Sequence, residues 1–136
     1  MRTTAGFKEL PHAADLCLQV WAPTLAGLFR EAARGMNALA GARLQGSPRI
    51  ERCIRLAGED NEQLLVGFLS ELILLADQEK LAFDHFVIRI QHDQLTAILK
   101  GAPLLAAGRT IKAATYHNLQ IKQKKNRCEA VIVFDI

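Results

Sequence analysis

Leu64, Leu65, Phe68, Leu69, Leu72, Ile73 and Leu75 recur at helical spacing. A stripe this broad must be covered, and a sheet is the partner wide enough to cover it. Asp60 followed by Gln63 forms a capping-box pattern, in which the Asp oxygen accepts first-turn amide protons. The spacing therefore predicts a helix over 60–79. A second helical face runs through Leu25, Leu28, Phe29, Ala32, Met36 and Leu39. Thr24 suits its N-cap and Gly41 its end, which predicts a helix over 24–40.

The rest of the chain alternates. Phe7–Leu10 is a short run stopped by Pro11, and Leu16–Trp21 alternates as a strand does. Ile50, Arg52, Ile54 and Leu56 predict a strand over 50–57, although Arg52 breaks its apolar face. Residues 83–91 and 95–99 predict a hairpin around His92-Asp93-Gln94. Residues 41–49 and 101–109 carry Gly and Pro and are expected to be loops. Residues 110–122 are expected to be one extended run, with Ile111, Ala113, Thr115, His117, Leu119 and Ile121 on one face. After a polar turn over 122–127, residues 128–134 form the last strand. Two helices among many hairpin-forming strands predict an α+β fold. The expected form is a two-layer sandwich, with a mixed, mostly antiparallel sheet and both helices on one face. A length of 136 residues suits a single domain spanning 1–136.

Composition narrows the functional classes. The net charge is only +3, too little to grip nucleic acid by bulk charge. Cys17, Cys53 and Cys128 include no C-x-x-C pair, so neither a disulfide framework nor a zinc site is indicated. With a polar start and no long apolar run, a cytoplasmic protein without a membrane span is expected. There is no G-x-S-x-G elbow, no phosphate-binding glycine loop and no histidine pair at metal-ligand spacing.

Charge is nonetheless uneven. Residues 59–79 hold six acidic side chains and no Lys or Arg, and residues 94–128 hold seven basic ones and no Asp or Glu. The simplest account is a solvated helix face and a soluble hairpin; the functional one is a basic surface for RNA or an acidic partner. His12 and Asp15 stand three apart before the strand at Leu16, where an Asp ordinarily accepts backbone hydrogen bonds. At the far end, Asp135 and the carboxylate of Ile136 follow directly on an apolar strand. Two pinned anionic groups need solvent or a cation, and oxygen ligands favour a hard divalent ion.

Several of these segments together resemble the archease family. Phe7 and His12-Ala13-Ala14-Asp15 are similar to its N-terminal signature, and Thr24-Leu25-Ala26-Gly27-Leu28-Phe29 to its first helix. Leu64-Leu65-Val66-Gly67-Phe68-Leu69-Ser70-Glu71-Leu72 resembles its second helix. Ile111-Lys112-Ala113-Ala114-Thr115-Tyr116-His117 matches its late signature in full, and the ending Phe134-Asp135-Ile136 is also shared. Departures are Ala13 for Thr, Ala26-Gly27 for an acidic pair, and Thr110 for an acidic residue.

The resemblance implies a protein that is not itself an enzyme. It implies an activator or chaperone of a GMP-dependent RNA-splicing ligase, promoting guanylation of that ligase and its multiple turnover in tRNA splicing or RNA repair. RNA would then be met indirectly. The resemblance also implies a metal site at Asp15, Asp135 and Ile136. Calcium is the ion usually assigned in the family, with Mg2+ and Mn2+ as alternatives. His12, Lys112, Tyr116 and His117 are the implied contacts to partner or phosphate. The alternative is an RNA-binding accessory, or a modulator of a tRNA methyltransferase, that uses the basic late segment.

Overall fold

The computed structural model describes residues 4–11 and 15–136. Helix α1 spans Leu25–Ala40; the hydroxyl of Thr24 accepts the Gly27 amide, and Gly41 closes the helix in the left-handed region. Helix α2 spans Asn61–Glu79, with the Asp60 carboxylate accepting the Gln63 amide at 2.8 Å. The Gln63 side chain reaches back to the Glu59 amide at 2.9 Å, so the box closes one residue earlier than usual.

The strands divide between two sheets, and every pairing among the described residues is antiparallel. In the first sheet β1 (Gly6–Leu10) pairs with β2 (Leu16–Ala22), and β2 pairs with β9 (Arg127–Asp135). Two short strands, β7 (Ala113–Ala114) and β8 (Lys122–Lys124), also pair with β9. In the second sheet β6 (Gln94–Ala106) is central. It pairs with β4 (Ile50–Ala57), β5 (Leu81–Gln91) and the two-residue β3 (Arg43–Leu44). The expected α+β class with two helices is observed. Its strands form two sheets because the chain leaves the first sheet through α1 and returns to it only at β7. Periodicity reveals strands, not which strands are neighbours.

Helix α1 packs on β1 and β2 and also on β5, while α2 packs on β4, β5 and β7, so both sheets and both helices close on one core. Phe29 of α1 stacks 6.0 Å from Phe68 of α2, whose ring meets Phe86 of β5 edge-on at 6.4 Å. Leu18, Ile132 and Phe134 fill the core from the first sheet, and Leu95 and Leu99 from the second. Burying side chains of this size stabilises the fold by about 2 kcal/mol each. Arg52, the interruption on the inner face of β4, extends its guanidinium to Glu79 at the end of α2 (3.0 Å).

Three expectations are corrected. Residues 101–109 are not all loop, because β6 continues through Gly101 and Pro103 to Ala106. Gly101 faces a bulge between Phe83 and His85, where a Cβ would press on the backbone of Ala82 and Phe83; the glycine permits the pairing. Within the expected loop 41–49, Arg43 and Leu44 pair with the end of β6. Residues 110–122 are not one strand: only 113–114 and 122–124 are paired. Ile111 and Ala114 are the buried pair, three residues apart, and Asn118 takes a left-handed turn that no alternating strand accommodates.

Candidate functional site: a carboxylate end of the first sheet

The β2–β9 ladder runs from Ala22↔Cys128 to Leu16↔Phe134. One residue past this last pair lie Asp15 on one chain segment and Asp135 on the other. The ladder ends at that pair, so Asp15 and Asp135 flank its end from the two neighbouring chain segments. Asp135 is exposed and Asp15 is half-buried.

The other edge of β9 is also held. Ala113 pairs with Asp135 and Ala114 with Phe134. The Lys112 amide donates to the Asp135 carbonyl at 2.8 Å. Thr115 donates both its amide (3.0 Å) and its hydroxyl (2.9 Å) to the Val133 carbonyl. A terminal segment braced on both sides cannot fray freely, so the position of Asp135 is set by β2 and β7 together. The same register sets Lys112 beside Ile136, whose side chain is 46 % exposed.

Thus four predicted residues, Asp15, Asp135, Ile136 and Lys112, lie at one end of the sheet. Two do not join them. Tyr116 and His117 sit in the turn after Thr115, both exposed. The Leu119 amide closes that turn on the Tyr116 carbonyl at 3.0 Å, and the His117 amide donates to the Thr115 hydroxyl at 3.3 Å. His117, expected in a strand and packed, is instead a turn residue whose Nε2 lies 3.3 Å from the Asn118 amide nitrogen. Among the described residues, no hydrogen bond or ion pair joins Tyr116 or His117 to Asp135 or Ile136. His12 and Ala13 lie outside the described residues.

Sequence reasoning missed two positioning groups. Glu62 of α2 accepts the Ile121 amide at 2.9 Å and ties the irregular 115–121 segment to the helix. The Thr115 hydroxyl acts likewise on β9. A polar side chain aimed at a distant backbone leaves no local signal in the sequence.

Among the described residues, no three His, Cys, Asp or Glu side chains group as a metal cluster. The donor set here is different: the carboxylate side chains of Asp15 and Asp135 and the main-chain oxygen of Ile136. Its chemistry is all oxygen and anionic, which fits a hard divalent cation such as Ca2+. Like charges facing each other across a ladder are destabilising on their own, and a cation between them removes that cost.

The basic segment 94–128 does not form one surface. Lys100 lies in the second sheet, 4.0 Å from Glu51, whereas Lys124 and Arg127 lie in the first and both engage Glu129, at 3.5 and 3.0 Å. The Arg127 hydrogen bond, helped by the Lys124 charge, holds the Glu129 carboxyl below its ordinary range. Arg49 does the same for Asp84. The three thiols are free; Cys17 and Cys128 are buried, which pushes their pKa values up and keeps them unreactive at neutral pH. Among the described residues, no helix is long and apolar enough to cross a membrane.

Comparison with known proteins identifies the family. The Archease protein family (MTH1598/TM1083) matches residues 7–136. The protein archease of Pyrococcus furiosus is 31 % identical, with 96 % of this chain and 98 % of that protein covered. That of Aeropyrum pernix is also 31 % identical, over 96 % and 97 %. The fold is similar to the crystal structure of an archease, described as a possible chaperone, from Thermotoga maritima. There the TM-score is 0.71 at 22 % identity, covering 95 % of this chain and 96 % of that one. The solution structure of protein 1598 from Methanobacterium thermoautotrophicum gives 0.69 at 24 % identity, covering 96 % and 99 %. With a family match that takes in both Asp15 and Asp135 and nearly every element of the fold, this chain belongs to the archease family.

Proposed function

We propose that this protein activates a GMP-dependent RNA-splicing ligase, promoting its guanylation and multiple turnover, and is not itself an enzyme. The supporting observation is the juxtaposition of Asp15 and Asp135 at the open end of the β2–β9 ladder. Asp15, Asp135 and Ile136 would hold a divalent cation, with Ca2+ the first candidate. When bound, the cation supplies positive charge to an otherwise anionic tip. The protein's own groups do the rest. β2 and β7 fix Asp135 from both sides, and Thr115 and Glu62 brace the segment that carries Lys112. Lys112, beside the tip, is placed to meet phosphate or an acidic pocket of the partner. A small domain with a braced carboxylate end suits insertion into a larger protein.

The test adds the purified protein to the cognate ligase and a broken RNA bearing a cyclic-phosphate end. Ligase guanylation and turnovers per ligase should both rise, and Asp15→Asn and Asp135→Asn should lose most of the gain. Unchanged guanylation and unchanged turnover with the wild-type protein would sink the proposal. The basic segment's dispersal over two sheets gives the RNA-binding alternative little support. A steep salt dependence of RNA binding, lost on charge reversal of Lys122, Lys124 and Lys125, would revive it.

A further inference from the structure

A second concave feature lies away from the carboxylate ladder. A cleft of about 700 Å3 opens between the C-terminal halves of α1 and α2, strand β5 and residues 104–113. That volume falls in the range of small-molecule sites. Its floor reaches core side chains: Met36, Phe83, Phe86 and Ile111 line it and are each less than a tenth exposed. Its rim carries Leu74 and Leu105, which are 44 % and 60 % exposed. Large apolar side chains left in water around an apolar hollow are unfavourable unless something covers them.

The charged residues of the cleft are unbalanced. Lys80, Arg109 and Lys112 line it against a single carboxylate, Asp77. The Lys80 ammonium donates to the Asp77 backbone carbonyl at 2.8 Å, leaving the Asp77 charge in place. The amides of Gly108 and Arg109 both donate to the Ala40 carbonyl and complete the end of α1. That structural duty belongs to the Arg109 backbone; among the described residues its guanidinium has no ion-pair partner, and neither has the Lys112 ammonium.

We propose that this cleft binds an amphipathic anion. An apolar body of about ten carbons would lie over Phe83 and Phe86, with a carboxylate or phosphate head meeting Arg109 and Lys112. The burial of Met36, Phe83 and Phe86 favours a small molecule able to reach them over a partner's helix, which would rest on the exposed Leu74 and Leu105. The site shares Lys112 with the carboxylate tip, while Arg109 and the apolar floor belong to the cleft alone.

The experiment is calorimetric titration of the whole protein with sodium decanoate below its micelle concentration. Decanol supplies the body without the charge, and acetate the charge without the body. Saturable one-to-one binding of decanoate is expected, at least tenfold tighter than decanol, with none of acetate. Arg109→Gln should weaken decanoate at least fivefold and leave decanol unchanged. Ala106→Trp, at an exposed lining position that tolerates bulk, should abolish binding of both. Absence of saturable decanoate binding to the folded wild type, the outcome expected if a partner's acidic helix is the occupant, would overturn the proposal. So would decanoate affinity unchanged in both variants, or decanol binding as tightly as decanoate.

Discussion

Replacing Asp135 by Asn should change the protein's stability in opposite directions with and without a divalent cation. Asp15 and Asp135 flank the end of the β2–β9 ladder, one residue beyond Leu16↔Phe134; neighbours in register across such a ladder have Cβ atoms about 5 Å apart. Asp135 is exposed, so the appropriate dielectric is close to that of water. Two like charges about 5 Å apart then repel by about 1 kcal/mol, less at high salt. In a chelating buffer Asp135→Asn removes this repulsion and should stabilise the fold by up to about 1 kcal/mol. That raises the melting temperature of a domain this size by about 4 °C. With Ca2+ at about 100 times its dissociation constant, the wild type gains about 2.7 kcal/mol by mass action and the variant gains almost none. The order of stabilities therefore reverses, and the two buffers differ by about 3–4 kcal/mol in the effect of one substitution. Denaturation of both proteins in EDTA and in Ca2+ measures all four values. If Asp135→Asn has the same sign in both buffers, or Ca2+ leaves the wild type unmoved, the carboxylates do not share a cation.

Three further outcomes follow from the scaffold. Glu31 is 2 % exposed and is held by Arg34, which donates two hydrogen bonds at 2.8 and 2.9 Å, and by Arg30 at 3.8 Å; Arg34→Ala should cost about 1–2 kcal/mol in urea denaturation, removing Arg30 as well should cost more, and adding Glu31→Leu should restore most of the loss, because the cost is that of a buried charge stripped of its partners. Gly101→Ala should cost about 3 kcal/mol or more, since the added Cβ meets main-chain atoms of Ala82 and Phe83 that cannot rotate away. Glu129 and Asp84 have carboxyl pKa values depressed by their arginine partners, so the folded state binds fewer protons than the unfolded state there. Their stabilisation is present above the ordinary carboxylate pKa of about 4 and is lost as pH falls through the depressed values. Glu129→Gln should flatten the acid limb of a stability–pH profile, and high salt should flatten that of the wild type.

The parts of the fold that sequence reveals are those whose cause is local. Thr24, Gly41, Asp60 and Gln63 announce both helices within a residue of their observed limits, because capping is chemistry between near neighbours. His92 and Asp93, both at positive φ, turn the β5–β6 hairpin where the polar break predicts it. The failures are non-local. Gly101 and Pro103 look like loop residues until the bulge opposite them is known. Residues 111–121 alternate convincingly, yet only the part up to Thr115 is held on β9, through Val133, and Glu62 of the distant helix α2 takes the Ile121 amide where a strand neighbour would.

The candidate site divides in the same way. Asp135 is legible as a charge at the end of an apolar strand, but Asp15 becomes its counterpart only through the pairing of β2 with β9, 120 residues apart in the chain. Without that register, a loop aspartate has the ordinary duty of accepting backbone hydrogen bonds. Tyr116 and His117 show the opposite error. They belong to the same short motif as Lys112, and proximity in sequence suggests one cluster, but the chain runs back along β9 from Asp135 to Val133 and turns after Thr115, away from the carboxylate end. The division of labour in that motif follows from its contacts: Lys112 lends its amide to Asp135, Thr115 secures Val133, and the exposed turn beyond is left free to face a partner. A substitution at Thr115 should therefore loosen the carboxylate end, whereas one at Tyr116 should leave cation binding intact and affect only what the turn touches.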